Sequence, residues 1–159
     1  MNVKYFDHAA TTKIRKEVLD EMMQFLQNEY GNPSTLYKLG RTSKQAIEKA
    51  RKQVAELINA QPNEIYFTSG GTESDNTALK GIAYANYNKG NHIITSKIEH
   101  SAVLNSCKTL EKQGFKITYI DVDNKGIIKL GDLLKSINSN TILISLIFAN
   151  NEIRNYTAN

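Results

Sequence analysis

Three short polar turns carry the residue types that bind or react in this chain: Thr68-Ser69-Gly70-Gly71-Thr72-Glu73-Ser74-Asp75-Asn76, Glu99-His100-Ser101 and Asn150-Asn151-Glu152. The first holds the most chemistry. Where a helix begins, its first N–H groups point outward unpaired and its dipole favours negative charge, so such a turn suits an anion. Gly70 and Gly71 carry no Cβ to hold a phosphate away, and the Thr72 hydroxyl adds a donor. A phosphate cup fits this pattern; so does an ordinary tight turn followed by a Ser/Thr helix cap. The stretch is neither a P-loop, lacking the Gly-Lys-Ser/Thr ending, nor a dinucleotide fingerprint with three spaced glycines.

The flanking sequence says what must position these turns. The apolar run Ile65-Tyr66-Phe67 predicts a buried strand before the glycines, and Leu79, Ile82 and Ala83, with Tyr87 closing the face, predict a helix after them. Upstream, residues 1–12 read as a short strand running into the polar loop Asp7-His8-Ala9-Ala10-Thr11-Thr12. Val18, Met22, Phe25 and Leu26 then fall at helical spacing. Tyr30-Gly31-Asn32-Pro33-Ser34 is a loop by composition, Ser34 or Thr35 can cap the segment after it, and Gly40-Arg41 is expected to interrupt that segment. From Thr42 an amphipathic helix is expected to turn Ala46, Ala50, Val54, Leu57 and Ile58 inward, ending at Pro62-Asn63. Downstream, His92-Ile93-Ile94-Thr95 reads as a strand, Val103, Leu104, Cys107 and Leu110 as a helix running to Gly114, and Phe115 to Tyr119 as an alternating strand. Asp123-Asn124-Lys125-Gly126 reads as a turn, Leu130 to Ile137 as a short helix, and Thr141 to Phe148 as an apolar buried strand. Strands alternating with helices predict an α/β domain with a mostly parallel sheet. Ligands of such sheets gather at the carboxyl ends of the strands, where all three polar turns are expected to converge.

Bulk properties narrow the function classes. A chain of 159 residues, 40% hydrophobic and 23% charged, has the composition of a globular domain with a real core. No apolar run approaches a membrane span, and Met1 to Asp7 lack the apolar segment of a signal peptide, so a cytoplasmic protein is expected. The single cysteine, Cys107, excludes an internal disulfide and a thiolate-built zinc site. Lys44, Lys49, Arg51 and Lys52 cluster, but Glu48 and Glu56 are interleaved, as on a solvated helix face. No direct nucleic-acid partner is expected.

Five motifs occur in order and at matching spacing over residues 1–153: Asp7-His8-Ala9-Ala10-Thr11-Thr12, Gly31-Asn32-Pro33-Ser34, Thr68 to Asn76, Ile98-Glu99-His100 and Asn150-Asn151-Glu152-Ile153. Together they resemble the cysteine desulfurases of the nitrogen-fixation and iron–sulfur-assembly type, class-V enzymes of the fold-type-I pyridoxal 5'-phosphate transferases. The resemblance implies residues 1–12 as part of a small domain and 13–153 as an incomplete large cofactor-binding domain. It implies that Gly71 and Thr72 hold the cofactor phosphate, that His100 lies over the pyridine ring and shuttles protons, and that Asn151 donates to the ring hydroxyl. Read without the resemblance, His100 is a helix-capping or core histidine and Asn151 a turn asparagine. Asn32 and the Asp7–Thr12 segment would line the substrate entrance. The implied reaction converts L-cysteine to L-alanine, passing sulfur through an enzyme persulfide to iron–sulfur scaffolds or tRNA-thiolation acceptors, in a homodimer. Another class-V enzyme, such as a selenocysteine lyase or aminotransferase, and a non-catalytic remnant stand as alternatives.

That chemistry needs a lysine bonded to the cofactor, a carboxylate facing the pyridine nitrogen and a mobile-loop cysteine, and none is identifiable here. Lys97 and Lys108 lack the family's context, and Cys107, among Val103, Leu104 and Leu110, is expected to be a packed, inert thiol. After Ile153 the sequence Arg154-Asn155-Tyr156-Thr157-Ala158-Asn159 replaces the family's continuation Gly-Thr-Ile-Gln, which a neighbouring reading frame can restore. Residues 154–159 are therefore expected to be a frameshifted tail, and the chain alone to fold poorly and lack desulfurase activity.

Overall fold

The computed structural model describes residues 4–152, and the chain divides after Phe67 into two compact units. The expected tail at 154–159 and Ile153 lie outside the described residues.

In the first unit, residues 4–7 form no strand; Asp7 instead opens a turn whose carbonyl accepts from the Ala10 N–H at 3.2 Å. Helix α1 spans Lys16–Gln27 and α2 Lys38–Leu57. Helix α2 starts before Thr42 and runs unbroken through Gly40-Arg41, against the expected interruption. Gly40 is there for close approach: a Cβ would stand 2.0 Å from Thr35 Oγ1 and 2.5 Å from the Asn32 carbonyl oxygen. The loop thus lies directly on the first turn of α2, where only a glycine admits it, and the roughly 1 kcal/mol that glycine costs a helix is tolerated. The inward stripe of α2 is Gly40, Ser43 and Ala55, while Val54, Leu57 and Ile58, expected inside, are exposed. Ser43 Oγ donates to the Glu29 carbonyl at 3.0 Å, so a hydroxyl and small residues set this contact.

The expected strand at Ile65-Tyr66-Phe67 is absent. Extended backbone becomes a strand only where a neighbour completes the ladder, and these residues pair with none among the described residues. Ile65 alone is buried; Tyr66 and Phe67 are exposed. Arg51 holds the segment instead, donating from Nη1 to the Ile65 carbonyl and lying 5.2 Å from the centroid of the Phe67 ring.

The second unit is an α/β layer of elements α3 (Gly71–Ala85), β1 (His92–Ser96), α4 (Ser101–Lys112), β2 (Lys116–Ile120), α5 (Leu130–Ser136) and β3 (Thr141–Ser145). Its three-stranded sheet has the order β2-β1-β3, with β1 parallel to both neighbours. Each parallel step is made by a crossover helix, as the alternating sequence predicts. Central β1 is buried throughout, whereas β3 is only half-buried, with Ile144 exposed, rather than the fully buried strand expected. One core cluster joins Ala83, Ile93, Leu110 and Phe115; the second joins Leu79, Val103 and Cys107, with Ile117 and Leu143 packed on both. Ile82, expected inside, is exposed on α3. Gly114, in the left-handed region at φ 95°, turns the chain from α4 into β2.

A buried histidine that the sequence did not single out fastens the amino ends of all three strands. His92 Nε2 lies 2.8 Å from Thr118 Oγ1 on β2, and Nδ1 lies 2.8 Å from Thr141 Oγ1 on β3. The Asn138 side-chain amide nitrogen lies 3.1 Å from Nδ1. That amide, oriented by its Oδ1 accepting the Asn140 N–H at 2.9 Å, can only donate to Nδ1, so Nδ1 is the acceptor, the Thr141 hydroxyl also donates to it, and the Nε2–H donates to Thr118. Burial and the positive charge of Lys116 lower the pKa of His92. With the folded value below the unfolded one of about 6.5, the unfolded chain takes up a proton that the fold refuses. Stability is therefore complete above about pH 6.5 and falls as the pH drops below it, by at most about 1.4 kcal/mol per pH unit. Thermal melts from pH 7.5 to 5.5 should show a steeper loss for the parent chain than for His92→Gln; equal slopes would exclude this role.

Candidate functional site

Packing along the helices shows where the polar turns lie. On α3, Ala83 clusters with Ile93 and Phe115 at the amino ends of the strands, while Leu79 clusters with Tyr119 near the carboxyl end of β2. Helix α3 therefore runs antiparallel to the strands, and Gly71, eight residues before Leu79, extends about 12 Å further toward the carboxyl edge. Helix α4 runs the same way, with Leu110 beside Phe115 and Val103 in the Tyr119 cluster. All three polar turns accordingly stand at the carboxyl edge of one sheet, within one unit.

The glycine turn is built by its own side chains. Glu73 Oε2 accepts from the Ser69 N–H at 2.6 Å and from Ser69 Oγ at 2.7 Å, bonds that lower its carboxyl pKa. Thr68 Oγ1 lies 2.6 Å from Ser74 Oγ. These pairs close the loop without using the start of the helix: Gly70 is the N-cap residue of α3, and no side chain caps it. A Cβ at Gly70 or Gly71 would meet no atom within 4 Å beyond its own chain neighbours and helix backbone, so nothing else packs over the first-turn N–H groups. Gly71 and Thr72 are both exposed. The glycines are thus not demanded by backbone conformation, since Gly70 at φ 164° is extended and Gly71 is helical; their effect is to leave space.

The other two turns line one cleft of about 300 Å³, which His100, Ser101, Asn150 and Asn151 share with Lys97 and Glu99. Gly70 to Thr72 stand at the same sheet edge but do not line that cleft. His100 is the N-cap residue of α4: its Nδ1 accepts from the Ala102 N–H at 3.1 Å, which fixes the ring and leaves the neutral imidazole's proton on Nε2. The helix-capping arrangement and an exposed side chain therefore coexist in one residue. Asn151 is exposed, and its neighbour Asn150 shapes the turn, accepting from the Glu152 N–H at 2.7 Å and donating from Nδ2 to the Ile98 carbonyl at 2.7 Å. Lys97 pairs with Asp121 at 2.6 Å.

Glu99 is the residue whose role sequence reasoning missed. It is buried, and its Oε1 accepts both from Ser96 Oγ at 2.6 Å and from the Ile147 N–H at 2.8 Å. Glutamate is among the residues least often buried, so only the fold reveals such a placement. Asn32, expected at a substrate entrance, belongs to the other unit, where its Oδ1 accepts the Ser34 N–H at 2.9 Å; the Asp7–Thr12 segment lies in that unit too. Cys107 is buried in the core, as expected. Burial, with the charges of Glu111 and Glu99, pushes its thiol up to about 11.

These residues fit pyridoxal 5'-phosphate: unblocked helix N–H groups and a hydroxyl for an anion, and an exposed imidazole and amide across a polar cleft. The chain is 56% identical to cysteine desulfurase IscS of Methanosarcina thermophila over 149 residues, covering 94% of this chain and 37% of that protein. It is 54% identical to cysteine desulfurase IscS of Clostridium botulinum strain Kyoto, covering 94% and 38%. The chain thus spans well under half the length of these curated relatives. Among solved structures, a NifS-like protein superposes with a TM-score of 0.90 at 43% identity, over 93% of this chain and 41% of that one. SspA in complex with cysteine superposes at 0.89 and 40% identity, over 94% and 43%. The fold is that of these enzymes, a parallel sheet flanked by helices. The sequence profile of the class-V aminotransferases matches residues 4–155, and the chain belongs to that family.

Proposed function

We propose that this chain forms the amino-terminal, phosphate-cradling part of a pyridoxal 5'-phosphate-dependent cysteine desulfurase. The observation that carries the proposal is the gathering of the uncapped α3 N-terminus, His100 and Asn151 at one carboxyl sheet edge in a chain 56% identical to such an enzyme. Gly71 and Thr72 would hold the cofactor phosphate through their N–H groups, with the Thr72 hydroxyl as a third donor. His100 would face the pyridine ring: with Nδ1 accepting from Ala102, the neutral ring's proton sits on Nε2, which would donate toward the cofactor, and passing a proton through the ring would require Nδ1 to leave that bond. Asn151 would donate to the ring oxygen. When bound, the cofactor supplies an electron sink for bond breaking at an amino-acid Cα.

The intact enzyme would act on L-cysteine, yield L-alanine and pass sulfur to iron–sulfur scaffolds or tRNA-thiolation acceptors as a cytoplasmic homodimer. On its own this chain offers one thiol, Cys107, and it is buried, which favours a chain that holds cofactor without accepting sulfur.

Comparing pyridoxal 5'-phosphate with unphosphorylated pyridoxal tests the cup. The parent chain should bind the phosphorylated form at least tenfold more tightly. Gly71→Val places its side chain in the open approach and leaves the fold intact, and it should erase that preference. Equal binding of the two compounds by the parent, or an unchanged preference in the variant, would sink the proposal.

A further inference from the structure

We propose that Glu99 and Asn150 are positioning residues, a reciprocal pair of braces that fixes His100 and Asn151 across the cleft; this rests on the cofactor-site reading above. The chain leaves β1 through Ser96 to Glu99 and leaves β3 through Leu146 to Asn150. Glu99, from the first exit, accepts the Ile147 N–H of the second at 2.8 Å. Asn150, from the second exit, donates to the Ile98 carbonyl of the first at 2.7 Å. Each exit therefore sends one side chain to the other's backbone, and in each case the next residue is a proposed site residue: His100 after Glu99, Asn151 after Asn150.

The β1–β3 register ends at Thr95 and Ser145, so ladder pairing does not carry the two exits further. Side-chain bonds take over where the ladder stops. Glu99 is 7% exposed, and among the described residues no ion pair involves it. A buried carboxylate without a cation is costly unless hydrogen bonds satisfy it. Here Oε1 serves two donors, Ser96 Oγ and the Ile147 N–H, so its place is fixed both from the end of β1 and from the exit of β3. Bonds to a charged acceptor are about twice as strong as neutral ones, which suits a brace that must hold two loops still.

Both donors use one oxygen, so Glu99→Gln keeps the acceptor and Glu99→Ala removes it. Amide hydrogen exchange of the whole chain is the first measurement. In Glu99→Ala the Ile147 amide should exchange at least tenfold faster, while core amides such as Leu110 change less than threefold; Glu99→Gln should stay near the parent. Asn150→Ala should do the same to the Glu152 amide, which its Oδ1 accepts. The second measurement is a double-mutant cycle on pyridoxal 5'-phosphate affinity. Glu99→Ala should weaken binding at least fivefold with Asn151 present and less than twofold in an Asn151→Ala background. Uniformly raised exchange, a Gln variant no better than Ala, or additive losses in the cycle would overturn the braces. Failure of the parent to bind the cofactor would instead overturn the site reading, with exchange still deciding whether the braces exist.

Discussion

Treated with iodoacetamide at pH 8, the folded chain should be alkylated at Cys107 at least a hundredfold more slowly than the same chain in urea. The thiolate is the reacting species. Raising the thiol from its ordinary 9.0 to about 11 leaves roughly one-hundredth of the thiolate at that pH, and a residue with no exposed surface must also wait for an opening. The causes are physical and local: Cys107 lies with Leu79 and Val103 under Tyr119, and the negative charges of Glu111 and Glu99 oppose a second anion there. Tyr119 is pushed the same way, up to about 12, by burial and by Glu111. Because Cys107 is the only cysteine, the same result predicts that this chain, given cofactor and L-cysteine, accumulates no persulfide. Labelling of the folded chain at the rate of a free thiol would show that the site is open and would make Cys107 a candidate sulfur acceptor.

Leu110→Ala should destabilise the chain by about 3 to 5 kcal/mol, a large part of the 5–15 kcal/mol that a domain possesses. Leu110 is fully buried among Ala83, Ile93 and Phe115, where α3 and α4 meet the sheet, and its loss opens a cavity that rigid neighbours cannot fill. The comparison is Leu57→Ala, expected to change stability by no more than about 0.5 kcal/mol, because Leu57 is 84% exposed. Helical periodicity gives the two leucines the same inward reading, so urea unfolding of both variants separates the pattern from the packing. Equal costs would mean that Leu57 is covered in solution.

Much of the second unit was legible from the chain. The period-two run at Phe115 to Tyr119, the short apolar run at His92 to Thr95 and the intervening Val103, Cys107 and Leu110 yield β2, β1 and α4 because each pattern has one way to bury its apolar residues. Punctuation worked where a turn needs a particular backbone: Gly114 ends α4 in the left-handed region. It failed at Gly40, where the same residue type serves close approach and the helix continues. The apolar run at Ile65 to Phe67 failed for another reason. Strand formation depends on a hydrogen-bonding neighbour, and no local sequence contains one.

The site divides along the same line. The residue types and spacing by themselves determined that an anion-receptive turn opens a helix and that a histidine and an asparagine follow strands of a parallel α/β unit, and the five motifs in order determined the family. Only the tertiary structure decided that the Gly70–Gly71 turn is open because nothing packs on it, that His100 caps α4 through Nδ1 and so keeps its proton on Nε2, and that Glu99 is buried between two strand exits. Those outcomes depend on which atoms approach from residues distant in sequence, Ile147 reaching Glu99 and Asn150 reaching Ile98. A local pattern fixes which groups a turn offers; packing fixes which of them remain free to react.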